Sequence, residues 1–261
     1  MMKYDKEFYE RQKTGSKTSA SVVLKYLFEL FCPASVVDVG CGTGVWLETA
    51  RTFGVSDILG IDGEYVIDGA LMIDQHNFYP VDLETAFHLE RTFDMAMSLE
   101  VAEHLSHERA EGFIADLCAL SDVVLFSAAL PYQGGAGHVN ENWLEYWAEK
   151  FAVFGFIPLD FLRHALWNNS EVEWWYRQNL LLYVRETSAE KLFPGIPPAD
   201  PHRLSMVHPE FFLWSLQRSG DERVVRTFAQ DRYYYRFVTA EDKNNMVARI
   251  PGYGQEFGDA K

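Results

Sequence analysis

One segment, VVDVGCGTG at residues 36–44, restricts the possible folds more than any other part of the chain. An apolar run reaches Asp38, and three glycines at alternate positions then lead into a segment with helical spacing. We expect Gly40 to permit a tight turn, Gly42 to let a ligand approach the backbone, and Gly44 to let the helix pack close to the strand. A dinucleotide-binding fingerprint would need glycine one position later, and the GK[ST] ending of a P-loop is missing. The segment therefore predicts a ligand-binding loop that fits neither NAD nor ATP.

Strand-like and helix-like segments alternate through most of the chain. Apolar runs of strand length lie at 35–40, 57–62, 78–83, 93–100, 122–130, 156–162 and 179–186. Segments with helical spacing lie before or between them, at 19–31, 43–54, 106–120 and about 141–154. Such alternation predicts an α/β fold in which a mostly parallel sheet carries helices on both faces.

The charge and the cysteines limit the possible partners. The chain has 23 basic and 38 acidic residues and a net charge of −15, which disfavours nucleic acid or an anionic membrane as a partner. Its three cysteines form no CxxC pair, which is typical of a reducing compartment. We find no signal-peptide pattern and no apolar run near the roughly 18 residues of a membrane span. We therefore predict a cytoplasmic protein with a small-molecule substrate; a homodimer stays open.

Acidic residues follow the second and third predicted strands. Asp62 ends the second strand, where a carboxylate can accept two hydrogen bonds from a ribose diol. Asp82 and Leu83 follow the third strand, in a position to meet an adenine amino group and its ring face. Together with the glycine loop, these residues resemble the class I S-adenosylmethionine-dependent methyltransferases over residues 35–186. The resemblance implies S-adenosylmethionine as cofactor, with Asp38 and the glycine loop at its methionine portion, Asp62 at the ribose, and Asp82 with Leu83 at the adenine.

The same resemblance implies the organisation of the chain. It implies a Rossmann-like, doubly wound sheet that is mostly parallel with an antiparallel last strand. The proline-rich segment at 192–209 separately indicates a C-terminal appendage. The predicted parts are an N-terminal helical lid at 1–34, the cofactor-binding domain at 35–186, and an extension at 187–261 that covers the substrate or makes an oligomer contact. By analogy with the family, the residues of the lid that would touch the cofactor are Tyr9, Gln12 and Lys13.

The motif LEVAEH at 99–104 carries a second group of candidate residues. Glu100, Glu103 and His104 are spaced i, i+3 and i+4, so a helix that begins here would place them on one face. In one interpretation Glu100 lies at the helix N-terminus, where the macrodipole favours a negative charge, and Glu103 pairs with His107. The motif would then have no chemical role.

Two further interpretations give the motif a role in chemistry. The E-x-x-E-H spelling resembles the enzymes that methylate the 3′-terminal 2′-hydroxyl of small RNAs, and the resemblance implies a divalent ion on Glu100, Glu103, His104 and the later His138. Mixed carboxylate and imidazole ligands suit Mn²⁺, Fe²⁺ or Zn²⁺ better than Mg²⁺. Alternatively, His138 or His104 is a general base, because histidine titrates near neutrality. The sequence leaves three roles open for the motif: a helix cap, a metal site or a general base.

The sequence predicts methyl transfer to a hydroxyl of a small polar acceptor, a carbohydrate or a phosphorylated metabolite. The chain has SLEV at 98–101, where methyltransferases acting on base or glutamine nitrogens present an NPPY-type loop. Trp174, Trp175 and Tyr176 suit a sugar ring, although core packing explains at least two of the three. The alternatives are N-methylation of a small amine and a non-catalytic module that binds the cofactor.

Overall fold

The computed structural model describes residues 6–69 and 71–219, with side chains described for 15–66 and 71–215. Its strands are β1 (Ser35–Val39), β2 (Asp57–Asp62), β3 (Phe78–Pro80), β4 (Met95–Leu99), β5 (Val123–Ser127), β6 (Phe156–Leu159) and β7 (Leu181–Arg185). Within the described residues they form a sheet of seven strands in the order β3-β2-β1-β4-β5-β7-β6. Each lies within the segment predicted for it from the apolar runs.

The strand directions confirm the predicted fold class. The neighbours from β3 across to β5 pair in parallel, and β7 pairs antiparallel with both β5 and β6. The sheet is therefore mostly parallel with an antiparallel last strand, as the resemblance implied. The carboxyl ends of the parallel strands meet at one edge of the sheet, and open α/β sheets bind their ligands there.

Helices cover both faces of the sheet. They are α1 (Lys6–Phe28), α2 (Val45–Thr52), α3 (Ala110–Leu120), α4 (Leu144–Val153), α5 (Phe161–Leu166), α6 (Trp174–Asn179) and α7 (Glu186–Leu192); a further helix, α8 (Pro209–Ser219), follows along the chain. Val36 of β1 packs in one apolar core with Leu47 of α2, whereas Val37 packs in the other with Phe113 of α3. Successive residues of a strand face opposite sides, so one strand supplies both cores and the sheet is doubly wound.

The N-terminal segment forms one long helix. Helix α1 includes most of the predicted helix at 19–31, and its Leu24 and Leu27 are fully buried in the core that contains α2. The side chains of Tyr9, Gln12 and Lys13, predicted to touch the cofactor, lie outside the described side chains. The lid role of residues 1–34 stays a prediction.

The chain divides into two compact units, residues 1–206 and 207–261. Residues 187–206 belong to the first unit, in which Phe193 and Leu204 are buried, so the predicted extension begins inside that unit. In the second unit the structure describes residues up to 219, which include α8; the rest of the predicted extension lies outside the described residues. No helix in the described ranges is long and apolar enough to cross a membrane.

Candidate active site

The glycine loop after β1 has the strained backbone that its sequence predicts. Gly40, Gly42 and Gly44 have φ values of +83°, +52° and +84°, a region that residues with side chains rarely adopt. Val101 occupies the space of a side chain at Gly40, and Ile73 approaches Gly44 to 3.0 Å from where a Cβ would lie. A Cβ at Gly42 would meet nothing within 4 Å. The loop therefore presents its bare backbone to a cleft at Gly42, and the close contact at Gly44 is with Ile73.

Asp62 lies at the end of β2 and holds the glycine loop. Its carboxylate accepts hydrogen bonds from the N–H groups of Gly42 and Gly63 and from the hydroxyl of Tyr65, each at 2.7 Å. The neighbouring Asp38 is 3% exposed, and burial followed by the charge of Asp62 raises its pKa to about 8. The two acids thus differ in role: Asp62 is a satisfied hydrogen-bond acceptor, and the structure favours the protonated form of Asp38.

The segment after β3 forms the other wall of the cleft. Asp82 Oδ1 accepts a hydrogen bond from the Glu84 N–H at 3.0 Å, so the segment turns back at this point. The largely buried Arg109 donates from Nε to the Leu83 carbonyl at 2.8 Å and from Nη2 to the Thr85 carbonyl at 3.0 Å. Nothing in the sequence around Arg109 distinguishes it from a surface arginine, so this contact is not predictable from the sequence.

These walls enclose a cleft of about 990 Å³ at the carboxyl edge of the sheet. Five of the seven predicted cofactor residues line it, together with three residues of the LEVAEH motif: Gly40, Gly42, Asp62, Asp82, Leu83, Glu100, Val101 and His104. Asp38 and Gly44 are not among its lining residues; they lie beneath the loop and at the start of α2. The cleft has the size and the polar groups that a nucleoside-containing ligand needs.

The predicted helix at the LEVAEH motif is wrong. Glu100 has φ +57°, and its N–H donates to the carbonyl and the hydroxyl of Ser127 on β5. A left-handed residue interrupts a right-handed helix, so two short 3₁₀ turns follow, at Ala102–His104 and His107–Arg109, and α3 begins later at Ala110. The predicted sharing of one helical face by Glu100, Glu103 and His104 does not occur.

The two glutamates therefore have different surroundings. Glu100 Oε2 accepts a hydrogen bond from Gln133 Nε2 at 2.8 Å, and its Oε1 accepts one from Asn179 Nδ2 at 3.1 Å. Burial raises the pKa of Glu100, and the hydrogen bonds from Asn179, Ser127 and Gln133 oppose that rise. Glu100 is thus held by amide donors on two other segments of the chain.

Glu103, in contrast, is fully buried and poorly satisfied. Neither carboxylate oxygen has a hydrogen-bond partner of normal geometry among the described residues. Burial and then the charge of Glu100 raise its pKa well above the usual range, although backbone N–H groups of Glu103 and Ala129 lower it. The predicted pair of Glu103 with His107 is wrong, because His107 Nδ1 contacts Asn140 Oδ1 at 3.3 Å instead. A buried carboxylate without partners needs a proton or a cation.

Two histidines lie beside this carboxylate. One ligand atom each from Glu103, His104 and His138 lies within 4.8 Å of the others, and the imidazole rings meet edge to face at 4.7 Å. The backbone carbonyl of Glu103 accepts hydrogen bonds from the N–H groups of Val139 and Asn140, which fixes the loop that carries His138. Burial and the charge of His138 lower the pKa of His104. The structure thus brings together three of the four predicted metal ligands, and Glu100 is not in that group.

The residues of this group fit a divalent ion. The Glu103 oxygens support this fit: among the described residues they have no hydrogen-bond partner of normal geometry, so a cation could take the place of a proton there. One carboxylate and two imidazoles form the donor set of Mn²⁺, Fe²⁺ or Zn²⁺ sites and leave positions open for other ligands.

The predicted aromatic surface contributes mainly to the core. Tyr176 is 6% exposed and Trp175 packs against the same apolar core, which confirms that at least two of the three rings are structural. The next residues of α6 are more informative, because Gln178 and Asn179 are fully buried polar side chains. Asn179 Nδ2 also donates to Gln133 Oε1 at 3.0 Å, which closes a network around Glu100.

The sheet order, the glycine loop and the acidic residue after β2 together define a class I methyltransferase. The family described as "Methyltransferase domain" matches residues 10–169, more than half of the chain, and the chain therefore belongs to this family. No curated protein matches the sequence.

Solved structures show the same fold at low sequence identity. The amino pentose methyltransferase CalS10 from Micromonospora echinaspora, in its S-adenosylmethionine-bound structure, is 16% identical with a TM-score of 0.51, and the match covers 71% of this chain and 99% of that one. The small RNA methyltransferase HEN1 is 18% identical with a TM-score of 0.50, and the match covers 66% of this chain and 25% of that one. At these identities the likeness concerns the fold alone.

Proposed function

We propose that this methyltransferase transfers the methyl group of S-adenosylmethionine to a hydroxyl of a small polar acceptor, a carbohydrate or a phosphorylated metabolite. The observation that carries the proposal is the cluster of Glu103, His104 and His138 next to a cleft that contains the glycine loop and Asp62. The sulfonium methyl is already a good electrophile. The protein therefore has two remaining tasks, which are to align the acceptor and to remove its proton.

The imidazoles suit the removal of the proton. His104 lines the cleft, and the lowering of its pKa by burial and by His138 favours the neutral ring, which can accept a proton. His138 meets it edge to face and is the second candidate. A positioned base of this kind contributes about 10²–10⁴-fold to a rate.

Glu103, His104 and His138 are also the residues that would hold a divalent ion. Such an ion would supply a positive charge beside the cleft, to which two oxygens of a diol or a phosphate could bind. Glu100, the fourth predicted ligand, supports the site in another way: its amide-bound carboxylate lines the cleft and can accept a hydrogen bond from a polar acceptor. The binding of a divalent ion by these residues is therefore part of the proposal.

The charge of the chain and one fold neighbour support the choice of acceptor class. A net charge of −15 disfavours RNA, although HEN1 is a small RNA methyltransferase. CalS10 is an amino pentose methyltransferase, which supports a sugar as acceptor. The same neighbour makes N-methylation of a small amine the second candidate, because its substrate carries an amino group as well as hydroxyls.

Product analysis tests the proposal. Sugars, amino sugars and sugar phosphates would be offered with S-adenosylmethionine carrying a ¹³C methyl group, and the product would be examined by NMR. We expect the label on oxygen; a label on nitrogen would establish the second candidate instead, and no transfer to any of these acceptors would refute the acceptor class. His138→Ala should lower kcat at least tenfold, whereas the exposed His76→Ala serves as the matched control.

A further inference from the structure

The side chain of Glu141 binds several groups of the loop that carries His138. No sequence motif indicates this residue. Its Oε1 accepts hydrogen bonds from His138 Nδ1 at 2.8 Å and from the Gly134 N–H at 2.5 Å. Its Oε2 accepts a hydrogen bond from the Tyr132 N–H at 2.8 Å. The side chain is only 18% exposed, so these contacts are largely shielded from water.

The ring of His138 is confined on its other sides as well. It lies so close to Gly135 that a Cβ on that glycine would overlap the imidazole. The ring also packs edge to face against the ring of His104, with 4.7 Å between the two ring centroids. Tyr132, at the other end of the loop, has φ +70°, a strained value for a tyrosine, and its N–H is held by Glu141. A loop with such a backbone needs specific contacts to keep its shape, and Glu141 supplies three.

We infer that Glu141 is the positioning residue for His138. A carboxylate that binds Nδ1 requires the ring hydrogen to lie there, because a carboxylate only accepts. The lone pair is then on Nε2, the nitrogen left for chemistry. The purpose of this arrangement rests on the proposed function, but the arrangement serves either use of His138. A histidine that accepts a proton is oriented by a third group, and a metal-bound histidine donates its other N–H to a carboxylate.

A competing explanation is that Glu141 only ties the loop together. It also accepts from two backbone N–H groups, so its removal could act through the loop and not through the imidazole. The two explanations differ in what happens when His138 is absent. If Glu141 acts through His138, its removal has little further effect in a His138→Ala protein; if it acts through the backbone, the two effects multiply.

The first test needs neither an acceptor nor turnover. The ring nitrogens of His138 would be observed by ¹⁵N NMR in the full chain at about pH 8 with a chelator, where an ordinary histidine is neutral. The signal would be assigned by its loss in His138→Ala. We expect the Nδ1–H tautomer in the parent protein and a shift towards the Nε2–H tautomer in Glu141→Ala. The Nε2–H tautomer in the parent, or an unchanged signal in a folded Glu141→Ala protein, would overturn the inference even if the proposed reaction is correct.

The second test uses the active enzyme. Glu141→Ala and Glu141→Gln should lower kcat about 10–100-fold, while the affinity for S-adenosylmethionine stays within about twofold. Glu149→Gln changes an exposed acid on helix α4, a few residues further along the chain; it is the matched control and should behave like the parent. In the His138→Ala background, Glu141→Gln should change kcat by less than about twofold. Multiplying losses would assign Glu141 to the loop backbone alone.

Discussion

Replacement of Asp38 by asparagine tests the electrostatics beneath the glycine loop. Burial and the charge of Asp62 raise the pKa of Asp38 from 3.8 to about 8, so the folded protein holds a proton that the unfolded chain releases at lower pH. Because folding raises this pKa, the stabilisation that the bound proton gives to the folded protein is complete below pH 3.8 and is lost as the pH rises through about 8. The parent protein without cofactor should therefore become less stable across this window.

The size of the effect follows from one proton. Each pH unit inside the window changes the free energy of unfolding by about 1.4 kcal/mol, or about 3 kcal/mol from about pH 5 to about pH 7. An asparagine has the same shape and no proton to lose, so Asp38→Asn removes this dependence. The quantity to measure is the difference in the free energy of unfolding between variant and parent, which should grow with pH in favour of the variant.

Urea unfolding at about pH 5, 6 and 7, without cofactor, provides the measurement. Other buried acids contribute equally to both proteins and cancel in the difference. Asp74→Asn, at an exposed acid on the surface, is the control and should show a constant difference. A difference that is also constant for Asp38→Asn would refute the reasoning, since it would mean that Asp38 ionises as easily in the folded protein as in the unfolded chain.

The remaining predictions concern the cofactor and the metal. Asp62→Ala should weaken S-adenosylmethionine binding by about 1–3 kcal/mol in calorimetry, because a ribose diol loses its acceptor; equal affinity would place the ribose elsewhere. Arg109→Met should weaken cofactor binding about tenfold and lower the free energy of unfolding by about 2–3 kcal/mol, because the carbonyls of Leu83 and Thr85 lose a buried donor. Unchanged binding in the folded variant would mean that the segment after β3 does not contact the cofactor. If Glu103, His104 and His138 bind an ion, a chelator should abolish turnover and Mn²⁺ should restore it. Elemental analysis should then find about one ion per chain in the parent and none in Glu103→Gln. Full turnover in the presence of a chelator would leave the histidines as bases.

The sheet and the glycine loop could be predicted because their signals are local. A continuous apolar run predicts a buried strand, whose successive side chains Val36 and Val37 point to opposite faces, and the structure shows them in separate cores. Alternate glycines after a buried strand indicate a backbone with positive φ, and all three have it. Asp62 and Asp82 could be placed in the cleft because the carboxyl ends of parallel strands share one edge of the sheet.

The chemistry after β4 was harder to predict, because its geometry depends on contacts distant in sequence. The spacing of Glu100, Glu103 and His104 fits a helix, but the N–H of Glu100 binds Ser127 on the neighbouring strand, and its φ is +57°. Glutamate is not a residue that signals a left-handed conformation. The cluster with His138 was predicted as a set of ligands only through a family resemblance. The shared edge of β4 and β5 brings the loops that follow them near each other, but it does not indicate which side chains meet.

The reversed direction of β7 has a consequence for how this enzyme can evolve. Since β7 begins where β4 and β5 end, the segment before it, and not the one after it, delivers Asn179 to Glu100. The loops after β1, β2 and β3 line the cofactor cleft, whereas the α6–β7 junction is a separate stretch of chain that reaches the same edge from the opposite direction. Mutations in that junction change the partner of Glu100 and leave the residues of the loops after β1, β2 and β3 as they are. If Glu100 binds the acceptor as proposed, acceptor recognition and donor recognition depend in part on stretches of chain that can vary separately.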